Sequence, residues 1–245
     1  MLLEYATWCD VEDYLKTRKD IIIPIGSTEQ HGPMGFMGTD FICPEVLASG
    51  VSKRQNVLIA PTITFGMSQH HLSFSGTISL RPTTIIALLK DVSLSLMGHG
   101  FTHLFFLNGH GGNVASINTA FSEIYAEHSF SKKASPLYFH LCNWYEGNRV
   151  KALSRKYFED KEGSHATPSE LSLSFYAHPK VMKNAALSPE VSPDTHFRDS
   201  ADFRIKYPDG RMGSDSSLAS IDIGKELFEE ALKDILEVYE EFMQQ

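Results

Sequence analysis

The run Ile21-Ile-Ile-Pro-Ile25 is apolar at every position and stops at Gly26-Ser-Thr-Glu-Gln-His-Gly-Pro33. A short unbroken apolar run ending at a turn signal reads as a buried strand. The following segment obeys different rules. Its glycines and proline break regular structure while Glu29, His31 and Asp40 are delivered within a short length of chain. Loops at the ends of buried strands are where open α/β sheets place their chemistry. Carboxylate and imidazole together suit Zn²⁺ or Mn²⁺ better than Ca²⁺, which favours oxygen alone. Taken alone, Glu-x-His with a later Asp also reads as a polar surface turn.

Two further segments add to it. Leu104-Phe-Phe-Leu107 is a second apolar run, ending in Asn108-Gly-His-Gly-Gly-Asn113, and a helical pattern follows with Ile117, Phe121, Ile124 and Tyr125 on one face. Glycines in such a turn let the backbone approach a ligand and leave N–H groups free at a helix N-terminus. His110 is held between them. The third segment is Gly163-Ser-His-Ala-Thr-Pro-Ser-Glu170. Pro168 suits the first turn of a helix capped by Thr167, which puts Glu170 in that turn. By itself Glu170 reads as a capping carboxylate favoured by the helix dipole.

Together these segments resemble the creatininase family of metal-dependent amidohydrolases. The resemblance begins at Pro24 to Pro33 and continues through Gly66-Met-Ser-Gln-His-His-Leu-Ser-Phe-Ser-Gly-Thr-Ile-Ser-Leu80. The Asn-Gly-His turn, His165-Ala-x-x-x-Glu170 and Gly210-Arg-Met-Gly-Ser-Asp215 follow in order. It implies two divalent ions, zinc and/or manganese with iron also admissible. Glu29 and His110 would bind one, His31 the other, and Asp40 would bridge them. In creatininases proper a further carboxylate stands two residues after the turn histidine; here that position is Gly112, and Glu170 is the replacement. A second departure is Met34, where the family usually has histidine. A thioether is a poor ligand for these metals and moves no protons.

The resemblance also implies that His165 is the catalytic histidine, protonating the leaving amine; the plainer alternative is a helix-start histidine bonded to the backbone. His70 and His71 would line the mouth of the site and meet substrate, or be buried for structure. Gly111 and Gly112 leave room and free N–H donors beside His110, for a larger substrate or an oxyanion. Trp144, with Tyr145, offers an aromatic wall for a planar group, or packs in the core.

Apolar runs alternate with helical patterns along the chain: a helix at 43–52 led by Pro44, a strand at 57–60, a helix at 83–97, a strand at 104–107, a helix to 127, a strand at 137–140 and a final helix at 225–243. This alternation predicts a single domain over residues 1–245, a three-layer α/β/α fold with a mostly parallel central sheet. The segment 187–217 is the least regular, rich in Pro, Asp, Ser and Gly, and reads as a lid or subunit contact. Phe197 and Phe203 there read as exposed contact residues of a closed homo-oligomer such as a hexamer.

A net charge of -8 argues against a nucleic-acid surface. No apolar run approaches a membrane span, and the start of the chain lacks a basic, apolar leader. Cys9, Cys43 and Cys142 show no Cys-x-x-Cys spacing, and read as reduced core thiols in a cytoplasmic setting. The leading expectation is hydrolysis of a carbon–nitrogen bond in a small cyclic or formyl amide by a water activated between two metals. Creatinine itself is disfavoured by Gly112. Creatinine hydrolysis proper, phosphoester hydrolysis and a non-catalytic oligomeric role are the alternatives.

Overall fold

The computed structural model describes residues 1–193 and 195–245. Four parallel strands run in the order β2 (Leu58–Ile59), β1 (Asp20–Ile25), β3 (His103–Asn108), β4 (Tyr138–Asn143). Period-two alternation sorts their side chains between two cores. Ile22 of β1 and Phe105 and Leu107 of β3 face one layer, with α2 (Thr39–Gln55), α5 (Asn148–Phe158), α6 (Pro168–Ala177) and α8 (Ile221–Phe242) packed against it. Ile21, Ile23 and Ile25, with Leu104 and Phe106, face the opposite layer under α3 (Pro82–His99) and α4 (Val114–Phe130). The expected three-layer α/β/α arrangement is what forms.

β1 and β3 are the central pair, and both end on a glycine-led turn. Gly26 follows β1 and Gly109 follows β3. A Cβ at either position would overlap the backbone carbonyl of Asp40. The reason lies in α2. It begins at Thr39, four residues before the expected start, so Pro44 lies inside the helix instead of leading it. Proline has no N–H to return to the carbonyl four residues earlier, which is that of Asp40. The freed first turn of α2 therefore seats directly on the two strand ends, with glycine the residue that lets it come so close. This places the Asp40 side chain between the Glu29 loop and the His110 turn.

Other differences come from elements with weaker local patterns. Helices α1 (Trp8–Leu15), α5 and α7 (Ser200–Lys206) form where the apolar periodicity predicts no helix. α1 starts with a capping box between Thr7 and Asp10, and Asp199 caps α7 through the N–H groups of Ala201 and Asp202. The 187–217 segment is therefore not wholly irregular. Phe203, expected at a subunit surface, is fully buried and packs edge-on against His71 at 4.7 Å between ring centres. Phe197 turns inward and stacks on His70. Of the three thiols, all free, Cys43 is buried, Cys142 intermediate and Cys9 exposed on α1, so Cys9 is not a core residue. Among the described residues no helix is long and apolar enough to cross a membrane.

Candidate metal centre

The three segments converge at the C-terminal ends of β1 and β3 and the start of α6. Glu29 and His31 come from the loop after β1, Asp40 from the first turn of α2, His110 from the turn after β3, and His165 and Glu170 from the approach to α6. His110 Nδ1 lies 3.2 Å from Asp40 Oδ2, and its Nε2 is 3.4 Å from Glu29 Oε2. On the other side of Asp40, His31 Nε2 is 3.1 Å from Oδ1 and 3.9 Å from Glu170 Oε2. Glu29, Asp40 and His110 offer ligand atoms within 4.8 Å of one another, as do His31, Asp40 and Glu170. Asp40 is common to the two sets. A third set, Glu29, His31 and His165, meets the same limit.

Each imidazole is oriented from behind. His31 Nδ1 donates to the Glu29 carbonyl at 3.1 Å, His110 Nε2 to the Met67 carbonyl at 2.8 Å, and His165 Nε2 to the Gln30 carbonyl at 2.7 Å. A carbonyl accepts only, so these nitrogens carry protons, and the opposite nitrogens of His31 and His110 face Asp40 while that of His165 faces Glu29. Among the described residues Glu29 has no hydrogen-bond partner on either oxygen, nor has Asp40 on Oδ2, and all three atoms are buried. A buried carboxylate set against an imidazole nitrogen is stable only with a proton or a metal cation between the two. The donor set, buried and mixed in N and O, fits a divalent transition ion.

The electrostatics follow from that crowding. Burial disfavours charge on His31, but Asp40, with Glu170 and Glu29 behind it, outweighs burial and lifts its pKa to about 10. His110 rises to about 10 against the same opposition, under Glu29 and Asp40. Asp40 is held well below its ordinary value by His31 and His110, although burial opposes this. Burial raises Glu170 to about 7, assisted by Asp40 and resisted by His31. His71 falls to about 2 and His165 well below the usual imidazole range, through burial first and neighbouring histidines second.

Glu170 divides its oxygens. Oε1 accepts the Thr167 N–H at 2.6 Å, completing a capping box, while Oε2 faces His31. The glycine at 112 has a steric reason: a Cβ there would overlap His110 Nε2 and crowd the Met67 carbonyl. In this backbone a side chain at 112 would displace His110, so the glycine makes room for that ring as well as lining the cavity. Gly111 is open, and a Cβ there would meet only Tyr145 Oη, at 3.6 Å. Met34 is buried with Ala166, Leu171 and Phe175, an apolar seat beneath α6.

A cavity of about 490 Å³ opens onto the cluster. His70, His71, Gly111, Gly112 and Trp144 line it alongside Glu29, Asp40, His110, His165 and Glu170, whereas His31 lies behind the wall, fully buried. Trp144 is 1% exposed, so it serves the core as well as the cavity. Lys151, Glu162 and Phe197 also line the cavity, although no local motif marks Lys151 or Glu162 as site residues. Glu162 sits in a charged run that reads as a solvated turn, yet burial raises its carboxyl pKa and Oε2 has no partner.

A family model described as creatinine amidohydrolase matches residues 4–239. The mycofactocin precursor peptide peptidase of Mycobacterium ulcerans is 37% identical over 120 residues, 45% of this chain and 48% of that protein; the match thus spans about half the length of that relative. The 3-dehydro-scyllo-inosose hydrolase of Thermotoga maritima is 28% identical over 94% of this chain and 79% of its own. A solved structure described as creatininase with Mn superposes with a TM-score of 0.81 at 22% identity, covering 98% of each chain. With the family model matched almost end to end and the same architecture observed, this chain belongs to the creatininase family of hydrolases.

Proposed function

We propose that the chain hydrolyses a carbon–nitrogen bond in a small cyclic, formyl or peptide-like amide, with two divalent ions in the cluster. The observation that carries this reading is the set of buried, unpartnered oxygens of Glu29 and Asp40 faced by backbone-anchored imidazoles. Glu29, His110 and Asp40 would hold one ion, and His31, Asp40 and Glu170 the second, with zinc or manganese best suited and iron admissible. When bound, such ions lower the pKa of a water and polarise a carbonyl oxygen.

The chain's own groups supply the rest. His165 is neutral, with Nε2 committed to Gln30 and Nδ1 on the side of Glu29 at 3.5 Å from Oε1. Its Nδ1 takes a proton from the attacking water and returns it to the nitrogen that departs as the C–N bond breaks. The Gly111 N–H and the open space beside it offer a donor to the amide oxygen. His70, stacked on Phe197, and the Trp144–Tyr145 pair form the apolar sides that exclude water from the scissile group. The cavity lies within the size range of small-molecule sites. A homo-oligomer is part of this reading, with Tyr5 and Trp8, both largely exposed, as apolar contacts.

The test is a metal-reconstituted screen over formylated pyrimidines, simple lactams, short peptide amides and creatinine. Metal-dependent turnover of an amide, with creatinine weak or inert, is the expected result. Creatinine turnover at kcat/KM of about 10⁴ M⁻¹s⁻¹ or more would contradict the substrate assignment, and no amide turnover at all would defeat the reading. A second reading takes its substrate from the relative matched along 94% of this chain, an inosose in place of an amide. Adding that compound to the screen separates the two.

A further inference from the structure

The structure assigns Gln30 as a positioning residue that couples the 187–217 segment to the orientation and tautomer of His71. Gln30 stands between the proposed ligands Glu29 and His31, and its side chain is buried. Its Oε1 accepts the Gly32 N–H at 2.8 Å, which fixes the amide the right way round. The Nε2 group then lies 2.9 Å from the Gly210 carbonyl, 2.9 Å from His71 Nδ1 and 3.0 Å from His165 Nε2.

An amide has two hydrogens for these three neighbours. His165 Nε2 spends its own proton on the Gln30 backbone carbonyl, so it is not an acceptor. The two hydrogens go to Gly210 and His71. His71 Nδ1 must therefore be the bare nitrogen, and its proton sits on Nε2, 3.3 Å from Glu29 Oε1. This nitrogen faces a proposed ligand carboxylate without a hydrogen bond to it; carrying its proton, it is not itself free to ligate.

The same amide hydrogen bond closes the segment. Gly210 has φ of +90°, a conformation L side chains rarely adopt, and a Cβ there would overlap Gln30 Oε1. The segment is stiffened around this point by Arg211, fully buried, whose guanidinium bonds Asp209 at 2.8 Å, the Ser214 carbonyl at 2.9 Å and the Pro189 carbonyl. Phe203 presses on His71 from the same segment. Withdrawing Gly210 removes one of the two acceptors that hold the Gln30 amide in place, together with the ring packed on His71.

The inference goes beyond the hydrolase reading, and its test uses no turnover. Histidine-¹⁵N-labelled full-length protein is compared with Gln30→Glu and Gly210→Ala, the His71 signals being identified by their loss in His71→Gln. In the unsubstituted chain His71 should show an unprotonated Nδ1 and a protonated Nε2. A carboxylate has no hydrogen to donate, so in Gln30→Glu the His71 tautomer should invert, and proteolytic cleavage within 187–217 should rise about tenfold. Gly210→Ala changes neither Gln30 nor His71 and should give the same rise in cleavage with a mixed tautomer. An unchanged His71 tautomer in a folded Gln30→Glu protein would overturn the assignment. Should that variant fail to fold, unchanged cleavage and an unchanged His71 signal in Gly210→Ala would overturn it equally.

Discussion

Strand β1 carries a buried charged cluster at each end, and the two are built on opposite principles. At its start, Asp20 is 1% exposed and every demand is met within the chain. Arg18 reaches it with Nε at 3.0 Å and Nη2 at 2.7 Å, and the Tyr14 and Tyr239 hydroxyls complete the shell. Just past its other end, Glu29 and Asp40 are equally buried but have imidazoles for neighbours and three oxygens without a hydrogen bond. A carboxylate paired with arginine is a finished structural element. One surrounded by histidines anchored from behind is a place prepared for a cation. Burial alone does not distinguish them; the identity of the facing donor does.

The sharpest way to break this contrast is to neutralise one carboxylate at each end. Asp40→Asn should lower affinity for divalent metal at both proposed positions by at least about 100-fold, beyond what outer-shell partners usually contribute, while the metal-free chain stays folded. Asp20→Asn should leave metal uptake intact and cost about 1–3 kcal/mol of stability, because Arg18 loses its carboxylate while keeping the Gln55 carbonyl and the Tyr239 hydroxyl. Metal analysis and urea unfolding of the two variants check this. Equal metal retention in both would erase the distinction.

A second, smaller effect concerns pH. In the metal-free chain His31 and His110 sit near 10, above the unfolded value of about 6.5. Their stabilisation is therefore fully present below about 6.5 and is lost as pH rises toward 10. Glu170, raised to about 7 from its ordinary range, acts in the same direction at lower pH. Asp20 has a lowered pKa, held down by Arg18 and Tyr239 although burial opposes it, so its contribution is present above the ordinary carboxylate range and disappears only in acid. Thermal melts of the metal-free chain from about pH 6.5 to 10 should show falling Tm, and metal should abolish the slope. A flat profile without metal would mean that these imidazoles are not the protonated partners of Asp40.

The smallest expected effect tests Met34. Restoring the family histidine by Met34→His puts a polar ring against Leu171 and Phe175. It should cost about 1–3 kcal/mol, or roughly 2–4 °C in Tm per kcal/mol, without restoring creatinine turnover. A stable variant that gains creatinine hydrolysis would show that Met34 sets the substrate.

What can be read from the sequence follows the range of the interactions involved. Each proposed ligand lies in a local motif, at a strand end for Glu29, His31 and His110 and at a helix start for Asp40 and Glu170, so the loop with Glu29 and His31, the turn of His110 and the cap of Glu170 are legible together with the alternating strands and helices. Positions decided by distant contacts are not. Pro44 reads as a helix start because the two glycines that seat the first turn of α2, Gly26 and Gly109, belong to other parts of the chain. Phe203 reads as exposed because its partners, His70 and His71, are far away in sequence. Gly112 reads as vacant space, and only the folded turn shows the His110 ring filling it. The Asp199 cap of α7 is a local signal, but the turn residues around it mask the short helix it starts.

The central claim is that Asp40 is shared between two cation positions, and metal titration of the stripped, unsubstituted chain tests it most directly. Isothermal titration with Mn²⁺ or Zn²⁺ near neutral pH, repeated in buffers of different ionisation enthalpy, reads stoichiometry and proton release together. Two ions per chain are predicted, with about two protons released as His31 and His110 give up theirs. A single ion, or uptake without proton release, would contradict the account.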